Sequence, residues 1–120
     1  MARLTAEARR IIAEAGPALI ATSSRNGKSH VSIKGLFHIL DDEHIVFIDI
    51  DSPRTIANIR DNPQLSMMVF EPETGRSCRI WGKTEILTKG EIFDSVAAEF
   101  GKGKKVRQLV LVTVGEVEVF

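Results

Sequence analysis

The segment Ser52-Pro53-Arg54-Thr55 carries the most definite chemistry in this sequence. Serine followed by proline reads as a helix start, because Ser can cap free backbone N–H groups and Pro suits the first helical position. Such a terminus offers unpaired N–H donors and the positive end of the helix dipole. A guanidinium and two hydroxyls added there make a cradle for a phosphate. A plain capped helix with a surface arginine would use the same residues. A second segment, Val31-Ser32-Ile33-Lys34-Gly35, joins small and β-branched residues to a glycine. A strand of that kind lets a flat ligand lie against its backbone, although an ordinary half-buried strand has the same composition.

Other reactive residue types are sparse. His30, His38 and His44 are separated by Gly35 and by the Asp41-Asp42 turn, so no shared strand face is expected and no metal site follows. Cys78 lies beside Arg79, which could lower its pKa, but a structural thiol is the default. Trp81, Phe70 and Phe93 suit core or dimer packing, and Met67-Met68 suits filling at a packed surface. Lys102, Lys104, Lys105 and Arg107 form a short basic loop, read as solvated.

The elements that must position these residues follow from periodicity. The first fifteen residues space Leu4, Ala8, Ile11, Ile12 and Ala15 as an amphipathic helix, stopped by Gly16-Pro17 with Gly as a left-handed cap. Ala18–Ser23 and His30–Leu40 are strands joined at Asn26-Gly27, a hairpin signal, with Gly35 a bulge or close-approach point. His44–Ile50 is the third strand. The helix from Ser52-Pro53 runs to Asn62-Pro63. Gln64–Phe70 and Ser77–Leu87 are strands, Thr88 to Glu91 is a capping box, and the helix after it ends at Gly101. Gln108–Phe120 is the last strand, apolar on both faces from Leu109 to Val112. Six strands with short turns and few helices argue a mainly β, mostly antiparallel small barrel rather than a doubly wound sheet.

Composition excludes several functions. A chain of 120 residues is one domain by size, and 43% hydrophobic with 27% charged residues is globular. Sixteen Lys plus Arg balance sixteen Asp plus Glu, which argues against nucleic-acid and polybasic membrane-surface roles. One cysteine allows no intrachain disulfide, so a reducing, cytoplasmic setting is expected. No apolar run approaches the roughly 20 residues that a helix needs to span a bilayer, and no signal-peptide core is read at the N-terminus.

The order Val31-Ser32-Ile33-Lys34-Gly35, Leu40-Asp41-Asp42, Ser52-Pro53-Arg54-Thr55, Asn62-Pro63 and Arg79-Ile80-Trp81-Gly82 resembles the pyridoxamine 5′-phosphate oxidase-like, FMN-binding split-barrel proteins. The likeness runs from about Ala18 to the last strand. It is nearest to the short flavin-binding members. It implies a six-stranded split barrel and a homodimer with FMN at the interface. By position, Arg54 and Thr55 match the family's phosphate-binding basic pair, with threonine replacing the second basic residue, and Ser52 precedes them. Val31, Ser32 and Ile33 match the strand whose backbone lies beside the isoalloxazine, and Lys34 a lysine approaching the ring. Ile48 and Asp49 match positions near the ribityl chain, and Ser77 one that reaches across from the second subunit. The family's substrate-phosphate arginines and histidine have no counterpart, so pyridoxamine phosphate oxidation is not expected. The resemblance implies electron or hydride transfer through FMN. A non-catalytic flavin or haem-related binding or redox-sensing protein, and a deazaflavin-dependent reductase, are the alternatives on the same fold.

Overall fold

The computed structural model describes residues 2–35, 37–49, 51–100 and 105–120, the side chain of Phe100 excepted. Ten elements follow one another: α1 (Ala6–Ala15), β1 (Ala18–Ser23), β2 (Ser29–Lys34), β3 (Phe37–Asp41), β4 (His44–Asp49), α2 (Pro53–Asp61), β5 (Gln64–Glu71), β6 (Arg76–Leu87), α3 (Glu91–Phe100) and β7 (Gln108–Val119). The strands form one antiparallel sheet in the order β2-β1-β5-β6-β7-β4-β3.

That order dictates a barrel. β2 and β3 are the two edges of the sheet, yet only residues 35 and 36 separate them in the chain. Three peptide steps reach roughly 10 Å at most. The sheet must therefore curl until its edges lie side by side, unpaired with each other, which is a split barrel. The same point corrects the strand count to seven from the expected six. His30–Leu40 is not one strand, because the chain leaves one edge at Lys34 and joins the other at Phe37.

Most of the core fills the barrel. Ile20, Ile45, Phe47, Met67, Ile80, Val110 and Val112 point inward, joined by Leu4, by Ala8, Ile11 and Ile12 of α1, and by Ile56 and Ile59 of α2. Phe47, fully buried, contributes on the order of 2–3 kcal/mol. A second cluster lies outside, where Val46, Ile48 and Leu109 pack against Val96 of α3. This explains why Leu109–Val112 is apolar on both faces: the interior covers one and α3 the other.

Local signals act with some shifts. Thr5 caps α1 by accepting from the Ala8 N–H at 3.1 Å. Gly16 is not left-handed (φ −21°, ψ 164°), because the residue before a proline is pushed to extended backbone, and the Gly16–Pro17 bond is cis. Gly27, at φ +90°, turns the β1–β2 hairpin. The Asp94 N–H bonds the Gly90 carbonyl, so α3 enters from Gly90 rather than from a cap at Thr88. Gly101, the expected end of α3, lies outside the described residues. At Gly82 the β6–β7 register shifts: Trp81 faces Glu116 and Gly82 faces Val114, so Gly115 is an extra, bulged residue. A Cβ on Gly82 would stand 2.7 Å from the Thr113 carbonyl oxygen, a close approach that only glycine allows.

Candidate functional site

The start of α2 is where the sequence placed its phosphate cradle. The Ile56 N–H makes the first helical bond, to the Ser52 carbonyl. The N–H groups of Arg54 and Thr55 precede that bond. Ser52 was expected to cap them, but its side chain makes no cap bond. Its hydroxyl is instead taken by Lys34, whose Nζ donates to Ser52 Oγ. Cap and strand therefore meet in one contact, and the helix terminus keeps N–H donors free of a side-chain cap. Arg54 stands exposed beside them and makes no hydrogen bond or ion pair among the described residues.

Behind this terminus lies a small polar cluster. Ser32 Oγ and Thr55 Oγ1 share a hydrogen bond of 3.3 Å, and Thr55 is fully buried. Asn58 donates to Thr22 and Asn62 to Ser23, which lays α2 along the β1–β2 hairpin. Lys34 is half-buried, its ammonium 6.0 Å from the Phe47 ring centre. Burial lowers the Lys34 pKa below the usual amine value, and the negative charge of Asp49 works against that shift. Asp49 ends β4 and is only 2% exposed. Gln108 Nε2 donates to Asp49 Oδ2 at 2.8 Å and is itself held through Oε1 by Arg60 at 3.4 Å. Asp49 Oδ1 is buried with no partner among the described residues.

Ser32, Lys34, Asp49, Ser52 and Thr55 are thus gathered, with Arg54 on the rim. The other expected residues are placed differently. Val31 and Ile33 alternate with Ser32 and Lys34, so their side chains point out of the barrel, 61% and 66% exposed. Only the edge backbone of β2 could serve a ligand touching both sets. Ile48 is buried under α3, which commits its side chain to packing. Ser77 lies on β6, three strands from β2, paired with Phe120. Sequence reasoning missed Gln108 and Phe47. Phe47 sits two residues before Asp49 and so shares its strand face. Gln108 becomes legible only once the β4–β7 register sets it opposite Asp49.

Val31 and Ile33 belong to a wider outward face. Directly opposed residues share a face, which gives the rows Ile33–Leu19–Met68–Arg79 and Val31–Ala21–Ser66–Trp81. Leu19, Phe70 and Trp81 are exposed on it, and a shallow 280 Å³ cleft runs between the rows. Ser77 shares this face through its parity with Arg79 and Trp81.

The remaining reactive residues stay apart from the cluster. Cys78 is buried in the core, and burial pushes its thiol up to about 11. His30, His38 and His44 lie on β2, β3 and β4, with His44 held by Asp41 at 2.9 Å. Of the basic loop, Lys102 and Lys104 lie outside the described residues.

Known proteins share this fold. The sequence model of the pyridoxamine 5′-phosphate oxidase family matches residues 4–120. The chain belongs to that family. No curated protein matches it. Among solved structures, a variant of HupZ from Group A Streptococcus superposes with TM-score 0.89 at 20% identity, covering 98% of this chain and 99% of the other. HutZ, the haem storage protein of Vibrio cholerae, gives TM-score 0.74 at 20% identity, with 98% and 94% covered. An FMN-binding protein from Syntrophomonas wolfei gives 0.75 at 15%, with 92% and 86% covered. These likenesses establish the split-barrel fold. No helix among the described residues is long and apolar enough to cross a membrane.

Proposed function

We propose that this family member binds FMN and passes electrons or hydride through it. The observation that supports this reading most is the start of α2, where uncapped N–H donors and Arg54, unpaired among the described residues, stand beside a polar cluster and an open strand edge. Each part of FMN has a suitable group there. The phosphate suits the α2 terminus and the Arg54 guanidinium. Ribityl hydroxyls are hydrogen-bond donors, and Asp49 Oδ1 is a buried acceptor without one among the described residues. The ring edge suits the unpaired backbone of β2, an edge strand.

Bound FMN supplies the redox chemistry. The protein's own part is electrostatic and positional. Lys34, beside the α2 terminus, would set a positive charge near a bound flavin and favour an electron-rich ring. Asp49, fixed by Gln108, holds Lys34 charged against its burial. The Ser32–Thr55 bond ties α2 to β2, so phosphate and ring sites keep a fixed separation. A haem-related role is served less well, because the gathered side chains Ser32, Lys34, Asp49, Ser52 and Thr55 include no histidine.

The second subunit belongs to the same proposal. Val31, Ile33, Leu19, Phe70 and Trp81 make a largely apolar outward face, interrupted by Ser66 and Arg79, which suits a second copy of the chain related by a two-fold axis. Ser77 lies on that face. Sedimentation of the purified protein should give a dimer, and a monomer at micromolar concentration would refute this part.

Calorimetric titration with FMN and with riboflavin tests the cradle. FMN should bind roughly 10–100-fold more tightly than riboflavin, the range of one charge-assisted anchor. Arg54→Ala should close most of that gap. Equal affinities in the parent protein would remove the assignment.

A further inference from the structure

We propose a second ligand site, separate from the α2 terminus, in the cleft between α1 and β3, and that it takes a small amphipathic anion of the aromatic carboxylate class. The cleft has a volume of about 670 Å³, within the roughly 300–1,000 Å³ usual for small-molecule sites. It exists because small residues line it. Ala6 and Ala13 lie two helical turns apart on one face of α1, and Gly16 and Gly35 leave the far wall open. The apolar part comes from Phe37 and Ile39 of β3, with the Phe37 ring against Gly16.

Charge decides the ligand class. The charged residues lining the cleft are Arg9 and Arg10, and no Asp or Glu lines it among the described residues. The carboxylates that pair with the arginines leave donors over. Asp42 accepts one bond from Arg9 at 2.5 Å and shares its charge with Arg3 at 2.9 Å. Glu71 takes two bonds from Arg10, at 2.7 and 3.1 Å. A guanidinium carries five N–H groups, so beyond these bonds to described residues Arg9 has four and Arg10 three. An anion with an apolar body meets both halves of such a lining, whereas inorganic phosphate would use only one.

Heteronuclear NMR on the full chain, with benzoate and its uncharged counterpart benzyl alcohol as probes, tests this without any flavin. Benzoate should give saturable shifts at the amides of Gly16, Gly35 and His38, and benzyl alcohol should not. Arg9→Gln should weaken benzoate at least about tenfold, the loss of one charge-assisted contact. It should still fold, because Arg3 keeps Asp42 and Arg10 keeps Glu71. Ala13→Leu, which fills the cleft at an exposed position and alters no charge, should weaken it as well. The site is overturned by absent or non-saturating shifts, by an equal response to benzyl alcohol, or by benzoate affinity unchanged in both variants.

Discussion

Gly82→Ala tests the physical account of the barrel most sharply, because the structure fixes its size. The new Cβ would lie 2.7 Å from the Thr113 carbonyl oxygen and 2.7 Å from Val112 Cγ1. The first is backbone and the second belongs to a fully buried residue, so neither can swing aside. Overpacking of this kind costs about 1–3 kcal/mol. For 120 residues the unfolding entropy is about 0.25 kcal/mol/K, so the melting temperature should fall by about 4–12 °C. Gly35→Ala is the control: apart from its chain neighbours nothing lies within 4 Å of its Cβ, and the change should move the melting point by no more than about 4 °C in either direction. Thermal unfolding followed by circular dichroism reads both. The reasoning fails if Gly82→Ala melts within about 2 °C of the parent, or if Gly35→Ala falls as far.

Three further outcomes follow. Asp49→Asn removes the charge that offsets burial of Lys34, so the Lys34 pKa should fall further when followed by NMR of the labelled lysines; an unchanged value would separate the two groups. Glu71 and Asp42 are held below the usual carboxylate range by donation from Arg10 and Arg3, and Asp41 by the Glu43 backbone N–H. Their folded values are depressed, so their stabilisation is complete above about pH 4–5 and is lost as pH falls through those values. The urea midpoint should drop between pH 5 and pH 2.5, and a flat profile would contradict the pairing. Cys78, with its thiol pushed up to about 11, should react with a chromogenic disulfide at pH 8 only after denaturant is added.

Much of the arrangement was legible because local signals and tertiary structure agreed. Ser52-Pro53 marked the α2 start within one residue, and Asn26-Gly27 marked the hairpin. What could not be read depends on partners distant in sequence. Gly35 looked like a bulge, but whether a strand continues through it or crosses to another edge depends on which strands flank it. Ser52 looked like a cap, but Lys34, eighteen residues earlier, takes its hydroxyl. Asp49 was legible as a strand end, whereas its burial and its clamp by Gln108 follow from β4–β7 pairing across nearly sixty residues. Val31 and Ile33 were grouped with Ser32 and Lys34 as one segment, and the strand period places them on opposite faces.

The central claim is that the α2 terminus and the β2 edge together hold a flavin. Its most direct test is the visible absorption spectrum of the purified protein before and after incubation with FMN and desalting. The account predicts flavin bands that survive desalting in the parent protein and are strongly weakened in Arg54→Ala. A colourless parent that retains no FMN would contradict it.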